Sequence, residues 1–226
     1  MRARLAADRF SRAIKEGDSE TRLWLFDLKA AKPRQFGAFE VVDTENLIWD
    51  AAGESIMLVR AWPGRHEVAR LTLRGEKLTT LVGGDRQFGG FASCASHTMY
   101  SVHTPVQPDE LFACAPDGSG ECQISKLKGW SVERTPLPMQ ARKFEVPNGR
   151  DGNEPMEGWL LRAKGNTGPS PLLNDIHGGP VSYAQLDYDT NVFWQALCSN
   201  GWAVLMLNQV GSSSFGGDFC KRLSGR

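Results

Sequence analysis

Up to about residue 145, apolar residues occur in short runs of about six, and turns rich in Gly, Pro and Asp separate the runs. Within Val68–Leu73 apolar and polar positions alternate, and no stretch of about ten residues nearby shows the 3.6-residue period of a helix. The pattern therefore predicts a series of short β-strands. The predicted strands are Leu23–Leu28, Ser55–Arg60, Val68–Leu73, Thr98–His103 and Glu110–Cys114.

The predicted strands belong to a faint repeat. Trp49 begins a segment of an aromatic residue, a turn and a strand, and Phe91 begins a similar segment. Equivalent strands recur about every 42 to 45 residues, which is the spacing of β-propeller blades. Turns at short intervals also occur in any antiparallel β-protein, which is the alternative interpretation. No more than about three blades fit here, whereas a ring typically closes with four to eight, so we expect only a portion of a propeller.

The pattern changes near residue 145, and we predict one domain over residues 1–145 and a second over 146–226. The second contains a strand, then a short apolar strand, a helix and a buried apolar strand. Such an order is typical of a βαβ unit in an α/β sheet. These elements are predicted over Glu157–Leu161, Leu172–Ile176, Asn191–Ser199 and Trp202–Leu207.

Charge and hydropathy exclude two classes of partner. The sequence has 26 Lys and Arg residues against 26 Asp and Glu residues, so its formal net charge is zero. A basic surface that would bind nucleic acid or acidic lipid is therefore not expected. The longest strongly apolar run, Trp202–Leu207, is far shorter than the roughly 20 residues of a membrane-spanning helix. We expect neither a nucleic-acid nor a membrane partner.

The five cysteines predict no cross-link and no metal site. Their number is odd and none form a C-x-x-C pair, so the sequence indicates neither a zinc site nor a disulfide framework. The N-terminus has several arginines but lacks the apolar segment of a secretory signal. We therefore expect a cytoplasmic protein with reduced thiols and no cofactor.

A glycine-rich turn, His177-Gly178-Gly179-Pro180, follows one predicted strand and precedes the predicted helix. In α/β-hydrolases, the loop after the third strand supplies one N–H group to the oxyanion hole, often from HGGG-type sequences. Glycines suit that role because they leave space for the substrate to reach the backbone N–H groups. The alternative is a plain Gly-Gly-Pro turn with a structural histidine.

The residues around this turn point to a known family. Pro171-Leu172-Leu173 precedes it, and Gly201–Leu205 follows the helix. Asn208-x-x-Gly211-Ser212 and the pair Phe215-Gly216 come next. Together these segments resemble the prolyl oligopeptidase family of serine peptidases, in particular its acylaminoacyl-peptidase and dipeptidyl-peptidase-like bacterial members.

The resemblance implies a fold and roles for several residues. It implies a β-propeller portion of antiparallel blades followed by the start of an α/β-hydrolase domain. It also implies an oxyanion loop at His177, Gly178 and Gly179. Four further residues belong to the family's structural motif: Pro180, Asn208, Gly211 and Ser212.

The chain departs from the family pattern at three positions. Many members have an arginine where this chain has Val210, so an anchoring role of that arginine does not transfer. Asn174 and Asp175 lie in a strand that is usually apolar in the family, which predicts weaker packing of that strand.

The catalytic triad is not found in this sequence. Family members have Ser, Asp and His in that order, with the serine in a G-x-S-x-G elbow, and no such elbow occurs here. The segment Gly211–Phe215 lacks the second glycine, and Asp117–Gly120 is predicted to be a β-turn. All three triad residues would lie beyond Arg226, so we predict that this chain alone is inactive.

Other histidines give no alternative site. His97 and His103 are six residues apart on strand-like sequence, so they would lie about 20 Å apart and could not share a metal. His66 stands between Arg65 and Glu67 in a predicted turn, where a solvated side chain is expected.

The resemblance therefore predicts part of a serine-type peptidase that hydrolyses short peptides. One alternative is a non-catalytic propeller binding module or a pseudoenzyme. Another is a pair of chains in which a second chain supplies the triad. The sequence leaves open whether the specificity is acylaminoacyl, dipeptidyl or prolyl, and whether the protein forms a homo-oligomer.

Overall fold

The computed structural model describes residues 4–6, 9–16, 20–36, 47–61, 63–127, 139–147, 155–178, 182–186, 188 and 192–222. Within these ranges the chain is mostly antiparallel β-strand with two short α-helices. The strands form four sheets of four strands each. No helix of this described part is long and apolar enough to cross a membrane.

Each of the first three sheets is an antiparallel meander of four strands that are consecutive in the chain. The first contains β1 (Arg4–Ala6), β2 (Arg9–Glu16), β3 (Glu20–Asp27) and β4 (Lys32–Gln35). The second contains β5 (Ile48–Trp49), β6 (Ser55–Ala61), β7 (His66–Thr72) and β8 (Leu78–Val82). The third contains β9 (Gln87–Ser93), β10 (Thr98–Thr104), β11 (Gln107–Cys114) and β12 (Cys122–Gln123).

The fourth sheet is mixed. Its strands are β13 (Met139–Pro147), β14 (Pro155–Ala163), β15 (Leu172–Asp175) and β16 (Ala203–Asn208), in the spatial order β13-β14-β16-β15. Helix α1 (Val192–Ser199) lies between β15 and β16 in the chain, and these two strands pair in parallel. A parallel pair requires such a crossover, so the predicted βαβ unit is confirmed. A second helix, α2 (Gly217–Lys221), follows β16.

The elements predicted from the hydrophobic pattern are all present, with ends that differ by a few residues. Strands β1, β2, β4, β5, β8, β9, β12 and β13 and helix α2 were not predicted. The division of the chain near residue 145 stays a prediction, and β13 spans that position.

The second sheet is buried on both faces, which explains the nearly continuous apolar sequence of β6. Ile56 and Leu58 pack in a cluster with residues of the first sheet, such as Leu23. Met57 and Val59 pack in a second cluster with residues of the third sheet. Successive side chains of a strand point to opposite faces, so the first three sheets stack face to face with the second in the middle.

The fourth sheet has its own core. Trp159 and Leu161 of β14 pack with Val204 of β16 and with Trp194 of α1. Val106, in the turn between β10 and β11, packs against the same cluster. The third sheet therefore contacts the fourth through a hairpin turn.

Candidate functional site

The predicted site lies where two parallel strands of the fourth sheet end. His177 follows β15 by two residues, and Asn208 is the last residue of β16. The carboxyl ends of parallel strands meet at one edge of a sheet, where open α/β sheets bind their ligands. The sequence-predicted residues that the structure describes are therefore brought together at this edge.

A cavity of about 370 Å³ opens at this edge. Its lining includes His177 and Gly178 on one side and Ser182 and Tyr183 on another. A Cβ atom added at Gly178 would meet nothing within 4 Å, so the backbone there borders open space. Gly179 and Pro180, the other predicted residues of the turn, lie outside the described residues.

Asp175, which the family pattern does not predict in this strand, has a specific partner. Its Oδ2 accepts a hydrogen bond from Nε1 of Trp194, at 2.5 Å. The carboxylate therefore ties the end of β15 to α1 beside the cavity. The expected weakening of packing at this strand is offset at Asp175 by that bond.

His177 is held by the motif residue Ser212. Nε2 of His177 lies 2.8 Å from Oγ of Ser212, and this hydroxyl donates to the carbonyl of Gln209, also at 2.8 Å. Ser212 is only 1 % exposed. The histidine is thus contacted by the loop that follows β16.

Asn208 holds the loop at residues 182–186. Its Oδ1 accepts a hydrogen bond from the backbone N–H of Ala184 at 2.7 Å, and the residue is fully buried. The N–H of Ser213 donates to the carbonyl of Ser182 at 2.8 Å. Gly211 has φ +101°, a conformation that favours glycine, so the motif needs a glycine at this turn.

A turn of the second sheet also reaches this site. The N–H of Gly64 donates to Oγ of Ser214 at 3.0 Å, and Nη2 of Arg65 donates to Oε1 of Glu157 at 2.5 Å. Nε2 of His66 lies 2.6 Å from the hydroxyl of Tyr183. These three contacts join residues 64–66 to the fourth sheet and to the two loops beside the cavity.

The prediction of a solvated His66 is wrong. The side chain is half-buried, with Nδ1 3.1 Å from the carbonyl of Phe88 and Nε2 at Tyr183. Sequence reasoning also missed Tyr183, Glu157 and Ser214. No local pattern identifies them, because their partners in the second sheet are about a hundred residues away in the chain or more.

The segments set aside as nucleophile candidates have structural contacts. Asp117–Gly120 forms the predicted turn, with the N–H of Gly118 donating to the carbonyl of Ala115 at 2.9 Å. Within Gly211–Phe215, all three serines are buried.

The histidines considered as metal ligands lie in and before β10. Nδ1 of His103 lies 3.0 Å from Oδ1 of Asp109, and His97 lies in the turn before β10. The described part of the chain holds no group of three or more His, Cys, Asp or Glu residues suited to a metal ion. All five cysteines are free thiols, and burial raises the pKa of Cys114 and of Cys198.

Part of the sequence resembles a curated peptidase, although no family model matches the chain. The uncharacterized peptidase YuxL of Bacillus subtilis (strain 168) is 29 % identical over 133 residues, which cover 57 % of this chain and 19 % of that protein. The chain thus spans about a fifth of the length of this curated relative.

Solved structures share the fold over nearly the whole chain. The acylaminoacyl peptidase of Pyrococcus horikoshii matches with a TM-score of 0.74 and 16 % identity, over 97 % of this chain and 34 % of that one. Dipeptidyl peptidase 4 of Porphyromonas gingivalis matches with a TM-score of 0.69 and 18 % identity, over 97 % and 32 %. A prolyl endopeptidase matches with a TM-score of 0.68 and 15 % identity, over 96 % and 32 %.

Proposed function

Since the chain matches peptidases of the prolyl oligopeptidase family in sequence and fold, as its motifs predicted, we propose that it is part of a serine peptidase acting on short peptides. In this proposal the first three sheets are blades of a β-propeller, and the fourth sheet begins an α/β-hydrolase domain. The Ser-Asp-His triad belongs to a part of a longer protein outside residues 1–226.

The position of His177 and Gly178 supports the proposal most strongly. These residues follow β15, the third strand of the fourth sheet in chain order, and precede the helix that leads to β16. The α/β-hydrolase loop that donates to the oxyanion has this position. The open space beside Gly178 and the adjoining cavity leave room for a substrate carbonyl.

The proposed chemistry is acyl transfer. A serine outside this chain attacks the peptide carbonyl while a histidine accepts its proton, and the loop at residues 177–179 donates backbone N–H groups to the developing oxyanion. Loss of one such donor typically lowers the rate by about a hundredfold or more. This chain's contribution is the loop that begins at His177, which Ser212 contacts, while Asn208 holds the neighbouring loop at residues 182–186.

The edge of the fourth sheet supports the proposal that this sheet has additional strands in the working enzyme. Among the described strands β15 is the outermost on its side. Leu172, its first residue, and Ile176, which follows it, are 54 % and 71 % exposed. An apolar, unpaired edge is a site for another strand. In the proposal, that strand belongs to the part that supplies the nucleophile.

The stacking of the first three sheets supports the propeller assignment. They are four-stranded antiparallel meanders, and the middle one is buried on both faces, as a blade between two neighbours would be. A propeller beside the site would admit short peptides and exclude folded proteins. We include a cytoplasmic location in the proposal, because all five cysteines are free thiols.

The test is to sequence the coding DNA beyond codon 226. The proposal predicts an open frame that continues into a G-x-S-x-G elbow and then to the Asp and His of a triad. An in-frame stop directly after codon 226 would contradict it. In that case the chain would have an oxyanion loop without a nucleophile, and a binding module or a two-chain enzyme would explain it better.

A further inference from the structure

Residues 63–66, which comprise the turn before β7 and the first residue of β7, are here named the docking turn. We propose that His66 of the docking turn is a positioning residue that fixes Tyr183, and through it the loop at residues 182–186, beside the oxyanion loop. The meaning of this for catalysis rests on the proposed function, but the contacts do not depend on it.

His66 is itself held firmly by the third sheet. Its Nδ1 lies 3.1 Å from the carbonyl of Phe88, and its backbone N–H donates to the carbonyl of Arg86 at 3.4 Å. A carbonyl can only accept, so Nδ1 carries the proton and donates. In the neutral imidazole Nε2 then has a free lone pair, and the hydroxyl of Tyr183 donates to it at 2.6 Å.

Tyr183 lies at the centre of the loop that His66 would fix. The carbonyl of its neighbour Ser182 accepts a hydrogen bond from the N–H of Ser213, and the N–H of its neighbour Ala184 donates to the side chain of Asn208. Tyr183 is 6 % exposed, and its ring meets the imidazole edge-on at a centroid distance of 6.3 Å. The loop is thus held by the fourth sheet through its backbone and by the second sheet through one hydroxyl.

Loss of the hydrogen bond from the Tyr183 hydroxyl to His66 would change the shape of the site, because the loop at residues 182–186 forms a wall of the cavity. Ser182, Tyr183 and Ala184 line the same cavity as His177 and Gly178. A shift of the loop therefore changes the space in which the substrate carbonyl would lie. Small errors in such positions are costly, since catalysis depends on the placement of the reacting groups.

Two other residues of the docking turn also make contacts beside the cavity. Arg65 pairs with the buried Glu157 of β14, and Gly64 donates to Ser214. Gly64 has φ +67°, and a Cβ atom there would lie 3.0 Å from Cζ of Phe215. The turn is therefore packed closely enough against the loop after β16 that His66 has little freedom to move.

The test uses the 226-residue chain and two variants, Tyr183→Phe and His66→Gln, with hydrogen exchange measured by mass spectrometry. We expect each variant to raise amide exchange in residues 182–186 by about fivefold, the effect of one net hydrogen bond. Exchange in β7 and β9 should stay unchanged. The double variant should add little to either single change, because both remove the same bond.

His103→Gln is the matched control. It removes a histidine whose Nδ1 contacts a carboxylate within the third sheet and which does not line the cavity. Exchange in residues 182–186 should not change in this variant. The proposal would be overturned if residues 182–186 exchanged at the wild-type rate in Tyr183→Phe. It would also be overturned if the effects of the two substitutions were fully additive in the double variant. Because Tyr183→Phe removes only a hydroxyl, the test stands even where His66→Gln fails to fold.

A spectroscopic measurement separates positioning from general support. Nitrogen NMR of the imidazole should show His66 with its proton on Nδ1, and Tyr183→Phe should alter the Nε2 resonance. A proton on Nε2 in the wild-type chain at neutral pH would overturn the assignment. Neither measurement reads peptidase activity, so failure of the proposed function would leave both results interpretable.

Discussion

Nε2 of His177 and Oγ of Ser212 lie 2.8 Å apart, although 35 residues separate them in the chain. The contact joins the loop after β15 to the loop after β16. Ser212 is buried and donates to the carbonyl of Gln209. The pair therefore serves to hold the loop at His177 and Gly178, and it does not present an accessible nucleophile to a substrate.

Ser212→Ala is expected to lower the free energy of unfolding by about 1 to 2 kcal/mol, because it removes the buried hydroxyl that contacts both the carbonyl of Gln209 and Nε2 of His177. Urea unfolding measures the change. Ser213→Ala is the matched control, because the bond from Ser213 to Ser182 uses only its backbone N–H and survives the substitution. Equal losses in the two variants would refute a specific role for the Ser212 hydroxyl.

Gly118 and Gly120 offer a test of how the second and third sheets pack. A Cβ atom at Gly118 would lie 2.3 Å from the carbonyl oxygen of Leu81 in β8, whereas one at Gly120 would meet nothing within 4 Å. Both residues have positive φ, so Gly120→Ala should cost only the strain of about 1 kcal/mol. Gly118→Ala should cost about 3 kcal/mol or more, since the clash adds to that strain.

Chemical denaturation of both alanine variants checks this pair. The stacking of the two sheets predicts that Gly118→Ala is clearly the less stable. Similar stabilities of the two variants would show that the contact between Gly118 and β8 does not constrain the packing.

The lowered pKa of Asp50 predicts that part of the chain's folding stability is lost at acidic pH. Burial alone would raise the pKa of this carboxyl, but hydrogen bonds from the Ser55 hydroxyl and from nearby backbone N–H groups hold it below its ordinary value of 3.8. A lowered folded-state pKa contributes stability that is present above the ordinary value and is lost as the pH falls through the folded-state value. The chain should therefore lose stability on acidification, in part through Asp50.

Asp50→Asn removes this titration. Urea unfolding from neutral pH down to below 3.8 should give a shallower loss of stability in Asp50→Asn than in the wild-type chain. Ser55→Ala, which removes one of the lowering bonds, should fall between the two. Identical pH dependence in all three proteins would rule out the contribution of Asp50.

The raised pKa of Tyr100 predicts how the folding stability of the chain changes at alkaline pH. Burial, with the hydrogen bond to Glu121 and the charge of Glu121, raises the pKa of Tyr100 far above its ordinary value of 10.0. A raised folded-state pKa contributes stability below the ordinary value that is lost as the pH rises above it. We expect the stability of the wild-type chain to fall above pH 10.0 more steeply than that of Tyr100→Phe.

At neutral pH, Tyr100→Phe should be less stable than the wild-type chain by about 1.5 to 3 kcal/mol, because the bond to Glu121 involves a charged acceptor. Tyr188→Phe is the control, since within the described residues the hydroxyl of Tyr188 contacts a neutral amide, Oε1 of Gln195 at 3.1 Å. Phenolate absorbance should show that Tyr100 ionises only when the chain unfolds. Ionisation of Tyr100 at its ordinary pKa in the folded chain would contradict the burial argument.

Local sequence patterns predicted the strands and the helix whose conformation follows from the hydrophobic pattern of their own residues. β6 is an apolar run between turns, and the βαβ unit around α1 has the expected apolar segments. β9 was not predicted because Gly89 and Gly90 interrupt its pattern. The structure explains Gly89, since a Cβ atom there would lie 2.2 Å from Oγ of Ser101 on the neighbouring strand.

The candidate site was predicted only in part for a similar reason. The turn at His177 was found because glycines in a row after a strand are a local signal. His66 and Tyr183 are 117 residues apart, and no pattern within either segment predicts their contact. Such pairs follow from how the sheets pack, which periodicity along the chain does not encode.

In the proposed function, this chain supplies the oxyanion loop of a serine peptidase whose nucleophile lies elsewhere. The decisive experiment is labelling with a fluorophosphonate probe, followed by mapping of the modified peptide. The 226-residue chain and the protein translated from the continued reading frame are labelled side by side. We expect no label on the 226-residue chain and a single labelled serine, within a G-x-S-x-G elbow, on the longer protein. A label on Ser212 or on any other serine of residues 1–226 would contradict it.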